Sequence, residues 1–121
     1  MTQNIKYKNI SIRFREEGEG EPIILLHGYL ESLNIWDEFL EELSKRFRVV
    51  SIDLLGHGKT GNIGQIHTMD MMADAVNFVL VHLDISKCTM IGHSMGGYVT
   101  LAFLQTITLI NLLKRYVSQK K

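Results

Sequence analysis

The sequence predicts an α/β protein: a mostly parallel sheet flanked by helices. Three observations carry this. Residues 23–26 run apolar without alternation, as in a strand buried on both faces, and two further short apolar-rich strands follow at Phe47, Val49, Val50 and Ile52 and at 88–91. Stretches with the 3.6-residue spacing of helices separate and follow them. Each run also ends in a turn containing glycine, where a strand hands over to a loop or helix.

The elements follow in order. Residues 4–15 alternate at Ile10, Ile12 and Phe14, the period of a half-exposed strand, with residues 4–8 as its hairpin partner. Glu16 to Glu21 is a charged, glycine-punctuated turn closed by Pro22. The first buried strand runs from Ile23 to Leu26. Ile35, Trp36, Phe39, Leu40 and Leu43 form one stripe of a short helix, with Asn34 as its expected cap. Phe47, Val49, Val50 and Ile52 make the next strand, ending at Asp53. Residues 54–66 are glycine-dense loop. Thr68 is placed to cap a helix whose stripe is Met72, Ala75, Val76, Val79, Leu80 and Leu83. A third buried strand at 88–91 leads into the tight turn Gly92 to Gly97, and Tyr98 to Leu104 starts another helix. From Gln105 the apolar residues crowd too closely for a clean stripe, and residues 105–121 read as an atypical, helical tail.

Composition narrows the function classes. With 121 residues there is room for one domain, and 45% hydrophobic and 21% charged residues suit a globular core rather than disorder. Thirteen Lys and Arg balance thirteen Asp and Glu, so no basic excess marks a nucleic-acid binder. Cys88 stands alone and has no internal disulfide partner, which fits a reducing compartment. No apolar leader follows Met1 and no run reaches the roughly 18 apolar residues of a membrane span. These features together predict a cytoplasmic protein with no membrane or nucleic-acid partner, no cofactor and no metal.

Three segments carry chemistry. Gly92-His93-Ser94-Met95-Gly96 is a G-x-S-x-G directly after a strand and before a helix. A serine on such a sharp turn is held in a strained conformation that projects its hydroxyl clear of the sheet. The helix behind it turns unpaired N–H groups toward developing negative charge. The second segment is His27-Gly28-Tyr29, at the end of the first buried strand. The third is Asp53-Leu54-Leu55-Gly56-His57-Gly58-Lys59-Thr60, at the end of the second. Its Gly-Lys-Thr does not make a phosphate loop, because that motif needs a glycine where Asp53 stands and a helix where Gly61 and Gly64 continue the loop. His57 has no partner at metal-ligand spacing, and His67 and His82 flank the second helix as structural residues. Met69, Met71 and Met72 read as helix packing, and Cys88 as a buried thiol without an activator.

Together the three segments, H-G-Y, D-L-L-G-H-G-K-T and G-H-S-M-G-G, resemble the α/β-hydrolase superfamily, especially its esterase, lipase and haloperoxidase-like branch. The resemblance spans about Ile10 to Phe103. It implies Ser94 as nucleophile and the backbone N–H groups of Tyr29 and Met95 as an oxyanion hole, with His27, Gly28, Asp53, Gly92, His93 and Gly96 as supporting motif residues. It implies a small-molecule ester or related acyl substrate, and makes His93 a neighbour of the site rather than its base.

A serine hydroxyl needs a base, and the base an orienting acid. In this superfamily both follow the serine in the chain. Here no acid follows Asp84 and no histidine follows His93. The pattern departs at Gln105, which predicts residues 1–104 to be the N-terminal half of such a domain, truncated by a frameshift or early stop. Three expectations result. The chain derives from a serine hydrolase and is inactive alone; or it is a non-catalytic fragment pairing through the exposed sheet edge at 88–91; or an upstream histidine such as His27 or His57 serves as base.

Overall fold

A computed structural model describes residues 1–108 of the chain. Strand β1 (Thr2–Tyr7) turns through Lys8 and Asn9 into β2 (Ile10–Glu17), the expected hairpin, with Ile5 opposite Ile12. β3 (Glu21–Leu26) leads through a 3₁₀ turn (Leu33–Trp36) into helix α1 (Asp37–Leu43). β4 (Phe47–Ile52), α2 (Met69–His82), β5 (Thr89–Gly92) and α3 (Met95–Ala102) follow. A π-helical stretch (Phe103–Thr108) prolongs α3 into the start of the expected tail helix, the rest of which lies outside the described residues.

The sheet order is β1-β2-β4-β3-β5. β4–β3 and β3–β5 are parallel, while β1–β2 and β2–β4 are antiparallel. The sheet is therefore mixed, not mostly parallel as the sequence predicts. The N-terminal hairpin needs no crossover, and β4 inserts between β2 and β3. The run at β3 alternates in burial direction that its uniform composition conceals. Ile23 and Leu25 join Val49 against Trp36, Leu40 and Leu43 on the α1 face. Ile24, Leu26, Val50 and Ile52 pack with Met72, Val76, Val79, Met95 and Val99 on the face of α2 and α3. Helices thus cover both faces, which is why these strands carry no polar side.

Two caps test the local pattern. Thr68 caps α2 as expected, its hydroxyl accepting from the Met71 N–H at 3.1 Å. Asn34 does not cap α1. Ser32, extended at φ −149°, caps the 3₁₀ turn instead by accepting from the Asn34 N–H. Helical backbone starts before the first residue of the apolar stripe, so the cap moves back with it. Asn34 Oδ1 accepts from Arg13 Nη2 at 3.0 Å. Among the described residues no helix is long and apolar enough to cross a membrane.

Candidate active site

The carboxyl ends of β4, β3 and β5 lie side by side and present the three motif segments together. Leu26 is in register with Gly92, and the His93 N–H donates to the Leu26 carbonyl at 2.9 Å, carrying the β3–β5 ladder into the turn.

The turn after β5 is built by exclusion. A Cβ on Gly96 would overlap the carbonyl oxygens of Leu26 and His27, and one on Gly92 would overlap the Gly96 carbonyl. Both positions are closed to any side chain by backbone that cannot step aside, so the helix start packs directly on two strand ends. Between them Ser94 sits at φ 55°, ψ −114°, outside the regions an L-residue prefers. Ser94 holds the N-cap of α3, yet its hydroxyl makes no capping bond, unlike most N-cap serines. The side chain is exposed and has no hydrogen bond among the described residues. The Gly96 and Gly97 N–H groups bend back to the His93 and Ser94 carbonyls at 3.0 and 2.8 Å, which leaves the Met95 N–H unpaired in this turn.

The loop after β3 holds the second set. His27 is fully buried. The Leu54 N–H donates to its Nε2 at 2.9 Å, so Nδ1 carries the proton and donates to the Gly28 carbonyl at 2.7 Å. Burial pushes its pKa below the ordinary histidine value and keeps the ring neutral. With both nitrogens engaged, His27 pins the ends of β3 and β4 together and has no lone pair for a serine proton. Tyr29 follows at the loop tip, 68% exposed, its N–H unpaired among the described residues. Leu30 beside it stands at φ 61°, one of four non-glycine residues with positive φ among the described residues, with Lys8, Asp84 and Ser94.

The loop after β4 is a closed network. Asp53, 1% exposed, accepts from Arg13 Nε at 2.7 Å, from the Leu33 N–H at 2.7 Å and from the Lys59 N–H at 2.8 Å. Its carboxylate therefore joins β2, the loop before α1 and its own loop, and is spent on structure. The Thr60 hydroxyl accepts from the Arg13 N–H at 2.9 Å. His57 donates from Nδ1 to the Leu55 carbonyl at 3.0 Å, and its ring lies 5.2 Å from His27 and 5.8 Å from Tyr29. Its Nε2 is enclosed without a partner. Of the two upstream histidines named from the sequence, His27 thus has no nitrogen to offer Ser94, and His57 makes no hydrogen bond to Ser94 among the described residues. His67 accepts from the Ile63 N–H at 3.0 Å, and His82 packs its ring edge against Phe14, both structural as expected. Cys88 is free and half-buried, its thiol pushed up by burial and so not activated. No group of three or more potential metal ligands occurs among the described residues.

No motif points to Glu31. Its Oε1 accepts from the Gly28 N–H at 2.6 Å and lies 3.0 Å from His93 Nδ1. The two contacts, His93 first, hold its carboxyl below the usual carboxylate range. A glutamate three residues after a glycine suits closure of a tight turn, but nothing in its spacing announces His93.

Residues 21–119 match the family model described as alpha/beta hydrolase fold. The match runs past Gln105, where the motif resemblance stops. The chain is 40% identical over 89 residues to the dihydrolipoyllysine-residue acetyltransferase component of the acetoin cleaving system of Pseudomonas putida, covering 73% of this chain and 24% of that protein. To a non-heme haloperoxidase of Rhodococcus erythropolis it is 37% identical over 87 residues, covering 71% and 32%. Among solved structures, a thermophilic esterase from Thermogutta terrifontis superposes with a TM-score of 0.81 at 34% identity, over 88% of this chain and 41% of that one. The chain thus spans 24% and 32% of the two curated relatives.

Proposed function

The chain belongs to the alpha/beta hydrolase fold family, and from that premise we propose that it carries the nucleophile half of an acyl-transfer site for an ester or related acyl substrate. Ser94 is the nucleophile in this reading. The N–H groups of Tyr29 and Met95 receive the oxyanion of the tetrahedral intermediate, and Gly28, Gly92 and Gly96 give the backbone its close approach. One observation carries the reading. Ser94 occupies a helix N-cap without capping, on a backbone that leaves its hydroxyl exposed and unbonded. A strained residue persists only where its surroundings over-determine it, and a strained serine facing solvent serves reactivity better than stability.

Attack by Ser94 on the acyl carbon forms the Oγ–C bond, sends the hydroxyl proton to a base and leaves the carbonyl oxygen charged. This sequence has no histidine after His93 and no acid after Asp84, and His27 is bonded at both nitrogens. This reading takes the base and its acid from outside these residues, so the chain alone is expected to hydrolyse p-nitrophenyl acetate at the rate of its Ser94→Ala variant. Added imidazole can stand in for the base. With imidazole and p-nitrophenyl acetate, peptide mass spectrometry is expected to find Ser94 acetylated at least about tenfold faster than Ser32 or Ser44, the advantage of an oriented oxyanion site. Equal rates at the three serines would sink the reading.

A second reading takes the chain as a non-catalytic fragment that pairs through its sheet edge. β5 bonds only to β3 among the described residues, Ile91 on it is exposed, and so are Tyr98, Leu101 and Leu104 on the helical segment that follows. Equal acetylation of the three serines is the outcome that would favour it.

A further inference from the structure

The loop between β3 and the 3₁₀ turn is held in an unusual way. Its tip residues, Tyr29 and Leu30, are 68% and 80% exposed, so packing does not fix them. Leu30 is nonetheless at φ 61°, a conformation that costs a non-glycine residue about 1 kcal/mol or more. Something other than burial over-determines the tip. On one side the Gly28 carbonyl accepts from His27 Nδ1 at 2.7 Å and from the Glu31 N–H at 3.2 Å. On the other, a single oxygen of Glu31 takes the Gly28 N–H at 2.6 Å and faces His93 Nδ1 at 3.0 Å. Both peptide groups of Gly28 are thereby fixed, one through its N–H and the other through its carbonyl oxygen. The contact to His93 spans 62 residues of sequence and reaches the residue directly before Ser94.

A glutamate that only closed a local turn would bond to Gly28 and turn its carboxylate to water. This one also grips the neighbouring strand end. We propose that Glu31 is a positioning residue that clamps the loop carrying Tyr29 to the turn carrying Ser94 through its shared carboxylate oxygen. The proposal rests on the reading of Ser94 and Tyr29 given under Proposed function. It also explains how a carboxylate is tolerated beside an oxyanion position, where a bare negative charge would oppose the reaction. The charge is spread over a charge-assisted bond to a backbone N–H and a facing imidazole. The charged and titratable groups around the pair are His93 itself, His27, which burial keeps neutral, and beyond His27 the His57 ring and the Asp53 carboxylate bonded to Arg13.

The test compares the wild-type chain with Glu31→Ala, Glu31→Gln and His93→Ala. Hydrogen exchange by NMR reads the clamp without any chemistry. The Gly28 amide is expected to lose protection in Glu31→Ala and to keep most of it in Glu31→Gln, whose amide oxygen can still accept. In His93→Ala the Glu31 carboxyl, followed through its side-chain ¹³C signal, is expected to titrate higher than in the wild type. Imidazole-assisted acetylation of Ser94 is expected to slow on the order of tenfold in Glu31→Ala, the scale of a misplaced catalytic group, and to be rescued in Glu31→Gln. Unchanged Gly28 exchange in Glu31→Ala, or an unmoved Glu31 titration in His93→Ala, would overturn the clamp. An intact clamp with unchanged Ser94 acetylation in Glu31→Ala would overturn the positioning role. If wild-type Ser94 does not react selectively, the acyl-transfer reading fails, and exchange and titration still decide the clamp. Should Glu31→Ala not fold, Glu31→Leu, which keeps the bulk without an acceptor, carries the exchange and acetylation measurements, and the measurement of the Glu31 titration in His93→Ala is unaffected.

Discussion

Two glycine-bearing turns stand at neighbouring strand ends, and they treat their polar side chains in opposite ways. In the loop after β4, Asp53 is buried and accepts three hydrogen bonds, from Arg13, Leu33 and Lys59. In the turn after β5, Ser94 is exposed and strained, and its hydroxyl is bonded to nothing among the described residues. The first turn spends its carboxylate on three partners, and its energy goes into holding β2, β4 and the loop before α1 together. The second withholds a hydroxyl and an N–H from such bonds and stores backbone strain. Satisfied groups stabilise a fold, while groups held ready without a partner are available to a substrate.

The comparison can be tested from both sides. The largest effect is expected at Asp53. Asp53→Ala leaves Arg13, whose side chain is 15% exposed, without its carboxylate partner and orphans the buried Leu33 N–H and the part-buried Lys59 N–H. Breaking a buried pair in this way costs about 3–5 kcal/mol, read as a fall in the urea midpoint. A loss under about 1 kcal/mol, the scale of an exposed pair, would place Asp53 outside the structural role. Ser94→Gly is expected to act in the opposite direction. It releases the strain at φ 55° and raises stability by about 1 kcal/mol, less the entropy that glycine adds to the unfolded chain. Destabilisation instead would mean that the hydroxyl supports the fold. The smallest effect concerns His27, which joins the two regions. Its folded pKa lies below the unfolded value, so its stabilising contribution is present above about pH 6.5 and is lost as the pH falls through the folded pKa. The slope cannot exceed about 1.4 kcal/mol per pH unit for one group. Thermal midpoints between pH 7.5 and 5.5 should fall in the wild type and fall less steeply in His27→Gln; parallel slopes would remove His27 as the source.

Much of this architecture is legible in the sequence. The Ser94 turn can be read because its requirements are local. An apolar strand, a glycine on each side where no Cβ fits, and a following helix all lie within a dozen or so residues. The α2 stripe is legible for the same reason, since Met72, Ala75, Val76, Val79 and Leu80 face one way on any α-helix and are buried, together with Ala73, while Leu83 at the end of the stripe is half-buried. The α1 stripe misplaces the cap at Asn34, because a stripe marks where a helix faces the core and not where helical backbone begins.

Local sequence thus settles which segments are strands and helices, which of their faces are apolar, and where a serine stands exposed on a turn. The partners come from packing. The insertion of β4 between β2 and β3 makes the sheet mixed, and strand periodicity does not specify that order. The same packing brings Arg13 to Asp53 across 40 residues and Glu31 to His93 across 62. Hydrophobic periodicity reports only which way a residue faces. A hydrogen bond between distant polar side chains depends on where two strand ends meet, and that is set when the sheet closes around its core.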